Sequence, residues 1–187
     1  MQLWVGLGNP GAEHALQRHN VGFMAVDAIA DQHRFDPWKR QFQGWGAMGR
    51  IGTTRVLLLK PATYMNDSGR SVGDAMRFYK LDVSALTAFH DELDLAPFKV
   101  KVKTGGGAAG HNGLRSIDQH VGQDYRRVRL GIGHPGHKNR VLGHVLANFA
   151  KAEADPLAGM LGAVAAEAAR LAEGDDVRFM NEVALRV

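Results

Sequence analysis

Val5-Gly6-Leu7-Gly8-Asn9-Pro10-Gly11, followed after a polar segment by Arg18-His19-Asn20, is the stretch on which the reading of this chain turns. Residues 1–5 are apolar apart from Gln2, which predicts a short buried strand. A glycine-rich turn follows it. Beyond His19, residues 21–33 carry apolar side chains at 21, 24, 25, 28 and 29, the spacing of one helix face. Strand, turn and helix in that order set Asn9 and His19 at the mouth of a sheet, where open α/β folds gather their ligands. An amide and an imidazole there suit the metal-free hydrolysis of an acyl bond.

Gly6, Gly8 and Gly11 also match the dinucleotide fingerprint G-x-G-x-x-G behind a strand. Pro10 argues against it, because a residue without an N–H removes one of the donors that would cradle a pyrophosphate. The helical pattern starts near residue 21, whereas the fingerprint opens a helix at about its third glycine. Asp27 stands at a plausible distance for a ribose-binding acid but inside that helical pattern. The motif is a weak signal, and a nicotinamide enzyme is the less favoured reading.

Further along, residues 45–52 and 55–59 read as two strands around a turn at Gly52-Thr53-Thr54, with residues 34–44 irregular. Asp67-Ser68 is placed to cap a helix over 69–80. Residues 85–89 form an apolar strand that stops at His90-Asp91-Glu92-Leu93-Asp94. Residues 98–103 alternate lysine and valine until Gly105-Gly106-Gly107 breaks the pattern. A helix over 114–121 and a strand over 127–132 follow. Residues 150–173 are alanine-rich and helical, with Pro156 near the start and Gly174 as the stop. Strands alternating with helices, plus one hairpin, predict a single-domain α/β three-layer sandwich over residues 1–187, its twisted mixed sheet flanked by helices.

Composition narrows the function classes. The 187 residues include no cysteine, which excludes disulfides, thiolate metal sites and a cysteine nucleophile, and fits a cytoplasmic location. No apolar run approaches the ~18 residues of a membrane span, and no export signal opens the chain. A formal charge of +4 with a pI near 9.6 allows a polyanionic partner without demanding one. Neither a heptad nor a broad apolar stripe is evident, so a monomer is expected.

Asn9, Asn66 and Asp91 each follow a predicted strand, and Asn112 follows one through the glycine loop. Singly, each has an ordinary explanation in a turn or a helix cap. With His19 they make a set for which structure alone has little need. His19 is the best general base, since an imidazole titrates near neutral pH. Asp91 leads as the carboxylate that would fix its tautomer, with Glu92 and Asp94 as rivals. The plain reading of the same acidic run is a solvated turn, and a second alternative is a Mg²⁺ site. His134, His137 and His144 have no strong metal-ligand spacing, so no metal is expected. Lys99, Lys101 and Lys103 would share one strand face, with Arg126, Arg127, Arg129, Lys138 and Arg140 adding charge downstream. That face is either a lysine-guarded sheet edge or a phosphate-contacting surface.

With these residues in view, the chain resembles the bacterial peptidyl-tRNA hydrolases. The matching blocks are GLGNPG at 6–11, RHNVG at 18–22, TYMN-x-SG at 63–69, HDELDL at 90–95, GGG at 105–107 with GHNGLRS at 110–116, and RLGIGHPG at 129–136. The resemblance implies cleavage of the ester joining a peptide to the 3′ end of tRNA, with no metal or organic cofactor. It implies that His19 activates water, that Asp91 holds it in its basic form, and that Asn9 helps tell blocked from free aminoacyl groups. Asn66 and Asn112, beside Tyr64 and Met65, would hold the peptide main chain and acyl end. Lys103 and Arg129 would grip the terminal 5′ phosphate. His14 stands where the family usually has tyrosine, at a contact to the substrate end. Ala108-Ala109 replaces a more glycine-rich run. A non-catalytic RNA-binding module on the same scaffold is the rival from another class.

Overall fold

Strand β1, Gln2–Gly6, lies at the middle of the sheet and is buried from Leu3 onward. The computed structural model describes all residues 1–187. Because side chains alternate along a strand, β1 feeds two cores: Trp4 joins one hydrophobic cluster, Leu3 and Val5 the other. Seven strands pair in the order β2-β3-β4-β1-β5-β7-β6. These are β2 Lys39–Gln41, β3 Gly44–Ile51, β4 Thr54–Pro61, β5 Leu86–Glu92, β6 Val100–Thr104 and β7 Arg126–Gly131. β1 runs parallel to β4 and β5, and β7 runs parallel to β5. The β2–β3, β3–β4 and β6–β7 pairs are antiparallel. The mixed sheet is therefore parallel where it is most buried and antiparallel toward its edges.

One face is covered by helix α1, Val21–Gln32, followed by α5 Ala154–Ala166, α6 Ala168–Ala172 and α7 Asp176–Arg186. The other is covered by α2 Ser68–Tyr79 and α3 Asn112–Val121. Short helix α4, Val141–Leu146, packs beside the 3-10 turn Arg18–Asn20 at the carboxyl end of the parallel strands. No helix is long and apolar enough to cross a membrane.

The expected three layers and the β3–β4 hairpin are present, and several boundaries differ. Residues 34–44 contain β2, a strand too short and polar for its own periodicity to reveal. β5 continues through His90 and Asp91 because β7 pairs with it there, His90 opposite Arg129 and Asp91 opposite Leu130. The alanine-rich stretch breaks at Glu167, whose carboxylate holds Arg170 and Arg186 at 2.9 and 3.0 Å. α4 and α7 were not expected at all. Asp67 occupies the N-cap position of α2 without a side-chain capping bond; Ser68 instead donates to the Met65 carbonyl at 2.7 Å.

Candidate active site

The site begins with a backbone constraint. A Cβ on Gly22 would run into the Phe89 carbonyl and the Leu7 backbone, and one on Gly6 into the Gly22 carbonyl. Glycine at both positions lets the first turn of α1 lie directly on β1 and β5. The turn just before it, Arg18–Asn20, is thereby delivered to the end of β5. There His19 Nδ1 meets Asp91 Oδ2 at 2.7 Å, although 72 positions separate the two in sequence.

The other carboxylate oxygen is equally engaged: His111 Nε2 lies 2.7 Å from Asp91 Oδ1. The backbone N–H groups of Gly113 and Leu114 donate to His111 Nδ1 at 3.1 and 3.3 Å, capping α3. Two donors at Nδ1 place that ring's own proton on Nε2, aimed at Asp91. His19 likewise presents Nδ1–H to the ionised carboxylate, which leaves the Nε2 lone pair free for a proton. His111 was not singled out from the sequence. Its signal was present, a histidine directly before a helix start, but Asn112 beside it drew the attention.

The electrostatics follow from these contacts. Burial alone would push the Asp91 carboxyl up, but His111 and His19 outweigh it and hold it well below the usual carboxylate range. Burial also works to lower His19, and the Asp91 charge and hydrogen bond outweigh it, so His19 is raised above the ordinary histidine value. Neighbouring His90 is fully buried and pushed down to about 3, mainly by desolvation, and stays neutral. The ligand atoms of His19, Asp91 and His111 lie within 4.8 Å of one another, a grouping that could hold a metal ion. Both His–Asp contacts are direct hydrogen bonds, one to each carboxylate oxygen. His134, His137 and His144 do not converge. His134 accepts from the Gly136 N–H, and His144 bonds the Ile132 carbonyl.

Asn9 is fixed by three bonds. Its backbone N–H and C=O are both held by the buried Asn20 side chain at 2.9 Å, and its Oδ1 accepts the Met65 N–H at 2.8 Å. With the oxygen so assigned, the Asn9 NH₂ is left as a donor toward the cleft. Asn20 is a second residue missed in sequence, read only as part of a helix entry. Asn9, His19, Tyr64, Met65, Asn66 and Asn112 line one cavity of about 480 Å³, joined by Leu142 and Leu146 of α4. His19, Asn112 and Leu142 also line a neighbouring cavity of about 500 Å³ that includes Asp91, His111, His134 and Lys138. The two form one cleft.

Other expected residues lie elsewhere. His14 contacts Gln17 at 3.0 Å and Glu13 at 3.7 Å and does not line the cleft around His19. Of the acidic rivals, Glu92 faces Arg129 at 3.7 Å and Asp94 is exposed; Asp91 alone reaches His19. Lys101 and Lys103 share an exposed face of β6, which is the sheet edge, and exposed Lys99 directly precedes it. Lys103 sits opposite Arg127, and Arg129 opposite Lys101, which makes Lys103 and Arg129 diagonal neighbours on one face. Arg126 and Arg127 do not contribute to it. Arg126 turns to Asp176 and the Leu171 carbonyl. Arg127 is fully buried, donating to the carbonyls of Gly106, Gly107 and Gln123 and to Asp118, because a desolvated guanidinium must be satisfied internally. It thereby moors the glycine loop. In that loop Ala109 adopts φ +49°, a left-handed conformation that costs a non-glycine residue about 1–2 kcal/mol.

The sequence profile of the peptidyl-tRNA hydrolase family matches residues 3–186. The peptidyl-tRNA hydrolase of Rhizorhabdus wittichii is 73% identical over 187 residues, covering 100% of this chain and 99% of that protein. The peptidyl-tRNA hydrolase of Novosphingobium aromaticivorans is 73% identical over 186 residues, covering 100% and 97%. The crystal structure of peptidyl-tRNA hydrolase from Acinetobacter baumannii superimposes with a TM-score of 0.92 at 43% identity, covering 98% of this chain and 94% of that one. The chain belongs to the peptidyl-tRNA hydrolase family.

Proposed function

We propose that this member of the peptidyl-tRNA hydrolase family cuts the ester between a peptide, or an N-blocked aminoacyl group, and the 3′ end of tRNA, with His19 as the general base. The observation that carries the assignment of roles is the 2.7 Å contact from His19 Nδ1 to Asp91 Oδ2 in a carboxylate already anchored by His111. His19 Nε2 takes a proton from water as the oxygen attacks the ester carbon, and Asp91 stabilises the imidazolium that forms. The carbonyl oxygen becomes an oxyanion, for which the Asn112 amide, lining the cleft beside His19, is a neutral donor. When the carbonyl reforms, the bond to the ribose oxygen breaks and that oxygen takes the proton from His19. The products are a peptide carboxylate and a free tRNA hydroxyl. An ester releases an alkoxide far more readily than an amide releases an amine, so one base, one water and aligned donors suffice.

Substrate binding divides along the cleft. Asn9, Asn66 and Asn112 hold the peptide main chain and acyl end, with Tyr64 and Met65 beside them. Lys103 and Arg129 meet the tRNA phosphates. Asn9 also gives a reason for rejecting unblocked aminoacyl groups: its free NH₂ is a donor that a blocking carbonyl can accept and a free ammonium cannot.

The test is hydrolysis of N-acetylated aminoacyl-tRNA by the wild type and by His19→Ala. The wild type is expected to release the tRNA rapidly and the variant to lose at least ~10³-fold in kcat/KM. Unblocked aminoacyl-tRNA should be a poor substrate. Equal rates for wild type and variant would remove His19 from the mechanism. Tight tRNA binding without any turnover would favour the RNA-binding module.

A further inference from the structure

On the far side of Asn9 from His19 lies a groove of about 230 Å³ between the start of α1 and the end of β4, lined by Asn9, Pro10, Phe23, Met24, Trp45 and Lys60. At ~30 Å³ per water in the liquid that is about eight waters' worth of space, on the order of one large side chain. Trp45 stands 44% exposed at its rim, an unusual state for a side chain of that apolar area. We propose that this groove is the subsite for the part of the peptide that precedes the esterified residue, with Trp45 as its specificity-determining wall. The proposal rests on the hydrolase reading given above.

Direction supports this occupant. The ester carbon must sit at His19, and the carbonyl that blocks the esterified residue's nitrogen is the group read by the Asn9 NH₂. The next residue then lies beyond Asn9, and Asn9 lines both the catalytic cleft and this groove. Asn9 is also held rigidly, so it separates the two without closing either. Charge supports it as well. The groove's lysine, Lys60, is paired with Asp27 at 2.7 Å and lies over the Trp38 ring at 4.2 Å, so the lining itself carries no unpaired charge, and the one cation at its rim, Arg40, lies over the Trp45 ring at 5.6 Å. The opposite end of the cleft carries charge of both signs, with exposed Lys138 and His134 beside Glu92 and Asp94. A charge-balanced lining suits a neutral peptide at this end.

The test uses two substrates on the same tRNA with the same esterified residue, one N-acetyl-aminoacyl and one N-acetyl-tripeptidyl, with the full chain as wild type, Trp45→Ala, Trp45→Phe and Ala62→Phe. Ala62 is half-buried in the groove wall, and a phenylalanine there would fill the space. In the wild type the longer substrate should have the higher kcat/KM. Trp45→Ala should lower the ratio of long to short roughly three- to tenfold, chiefly through KM. Trp45→Phe should restore most of that ratio, and Ala62→Phe should lower it like the alanine variant. The same ratio in wild type, Trp45→Ala and Ala62→Phe would overturn the subsite and leave the hydrolase reading standing. Equal losses on both substrates, matched by weaker binding of deacylated tRNA, would overturn it in favour of a nucleotide stacked on Trp45. Failure of the wild type to cut either ester would overturn the hydrolase reading and this proposal together.

Discussion

Around Asp91 both carboxylate oxygens are bonded, the His111 tautomer is set by backbone amides, and the residue as a whole is 5% exposed. Along the wall of the same cleft, Asn66 and Asn112 are exposed and Tyr64 is 67% exposed. The difference separates two tasks. Groups that change charge during the reaction are oriented in advance, so no reorganisation is required at the transition state. Groups that recognise the substrate keep their hydrogen-bonding capacity unspent until it arrives. Asn9 lies between the two, with one end of its amide committed to Met65 and the other open.

If that division is right, damage to the oriented cluster should be far more costly than damage to the rim. Below the His19→Ala loss, Asp91→Asn should lower kcat/KM by roughly 10²–10⁴, because an amide can hold the wrong imidazole tautomer. His111→Ala removes one charge-assisted bond to Asp91 and should cost roughly 10- to 100-fold, mostly in kcat. His111 acts through Asp91 and is a positioning residue, so its variant should also shift the acid limb of the pH profile; a loss confined to KM would place it with the rim. Asn66→Ala and Asn112→Ala should each cost roughly 5- to 30-fold in kcat/KM, the worth of about one hydrogen bond to substrate. A larger loss at Asn112 than at Asn66 would mark it as an oxyanion donor. The smallest effect on turnover belongs to Lys103→Ala with Arg129→Ala. There kcat should persist at saturation, tRNA affinity should fall, and the log–log salt slope should flatten by about 0.7–0.9 per lost phosphate contact. An unchanged affinity and slope would leave the stripe as edge protection only.

How legible this was in the sequence tracks how local each signal is. β1, α1 and the β3–β4 hairpin announce themselves by periodicity and turn residues, all within a short window of chain. The extension of β5 through Asp91 does not, because its cause is a ladder to β7 more than thirty positions away. Arg126 and Arg127 read as surface charge in sequence because most of their partners lie well away along the chain. Those come from α3, α6, α7 and the glycine loop. The chemistry of His19 and the lead of Asp91 over Glu92 and Asp94 as its partner could be proposed from residue type and position, and the family resemblance pointed to the same pair. The part played by His111 and Asn20 could not, since each is defined by which neighbouring group its side chain holds. Ala109 is the reverse case: the sequence pointed to a glycine position filled by alanine, and the backbone there is indeed left-handed.

The pH profile of kcat/KM for N-acetylated aminoacyl-tRNA, measured for the wild type and for Asp91→Asn, goes most directly to the central claim. His19 must be neutral to accept a proton, and its value is raised by Asp91 against the opposing effect of burial. Activity of the wild type should therefore fall with acid through a midpoint above that of an ordinary histidine. Without the Asp91 charge, burial acts unopposed and the midpoint should move to lower pH, along with the drop in maximum rate. An acid limb that stays in the same place in both proteins would mean that the titrating base is not an imidazole governed by Asp91.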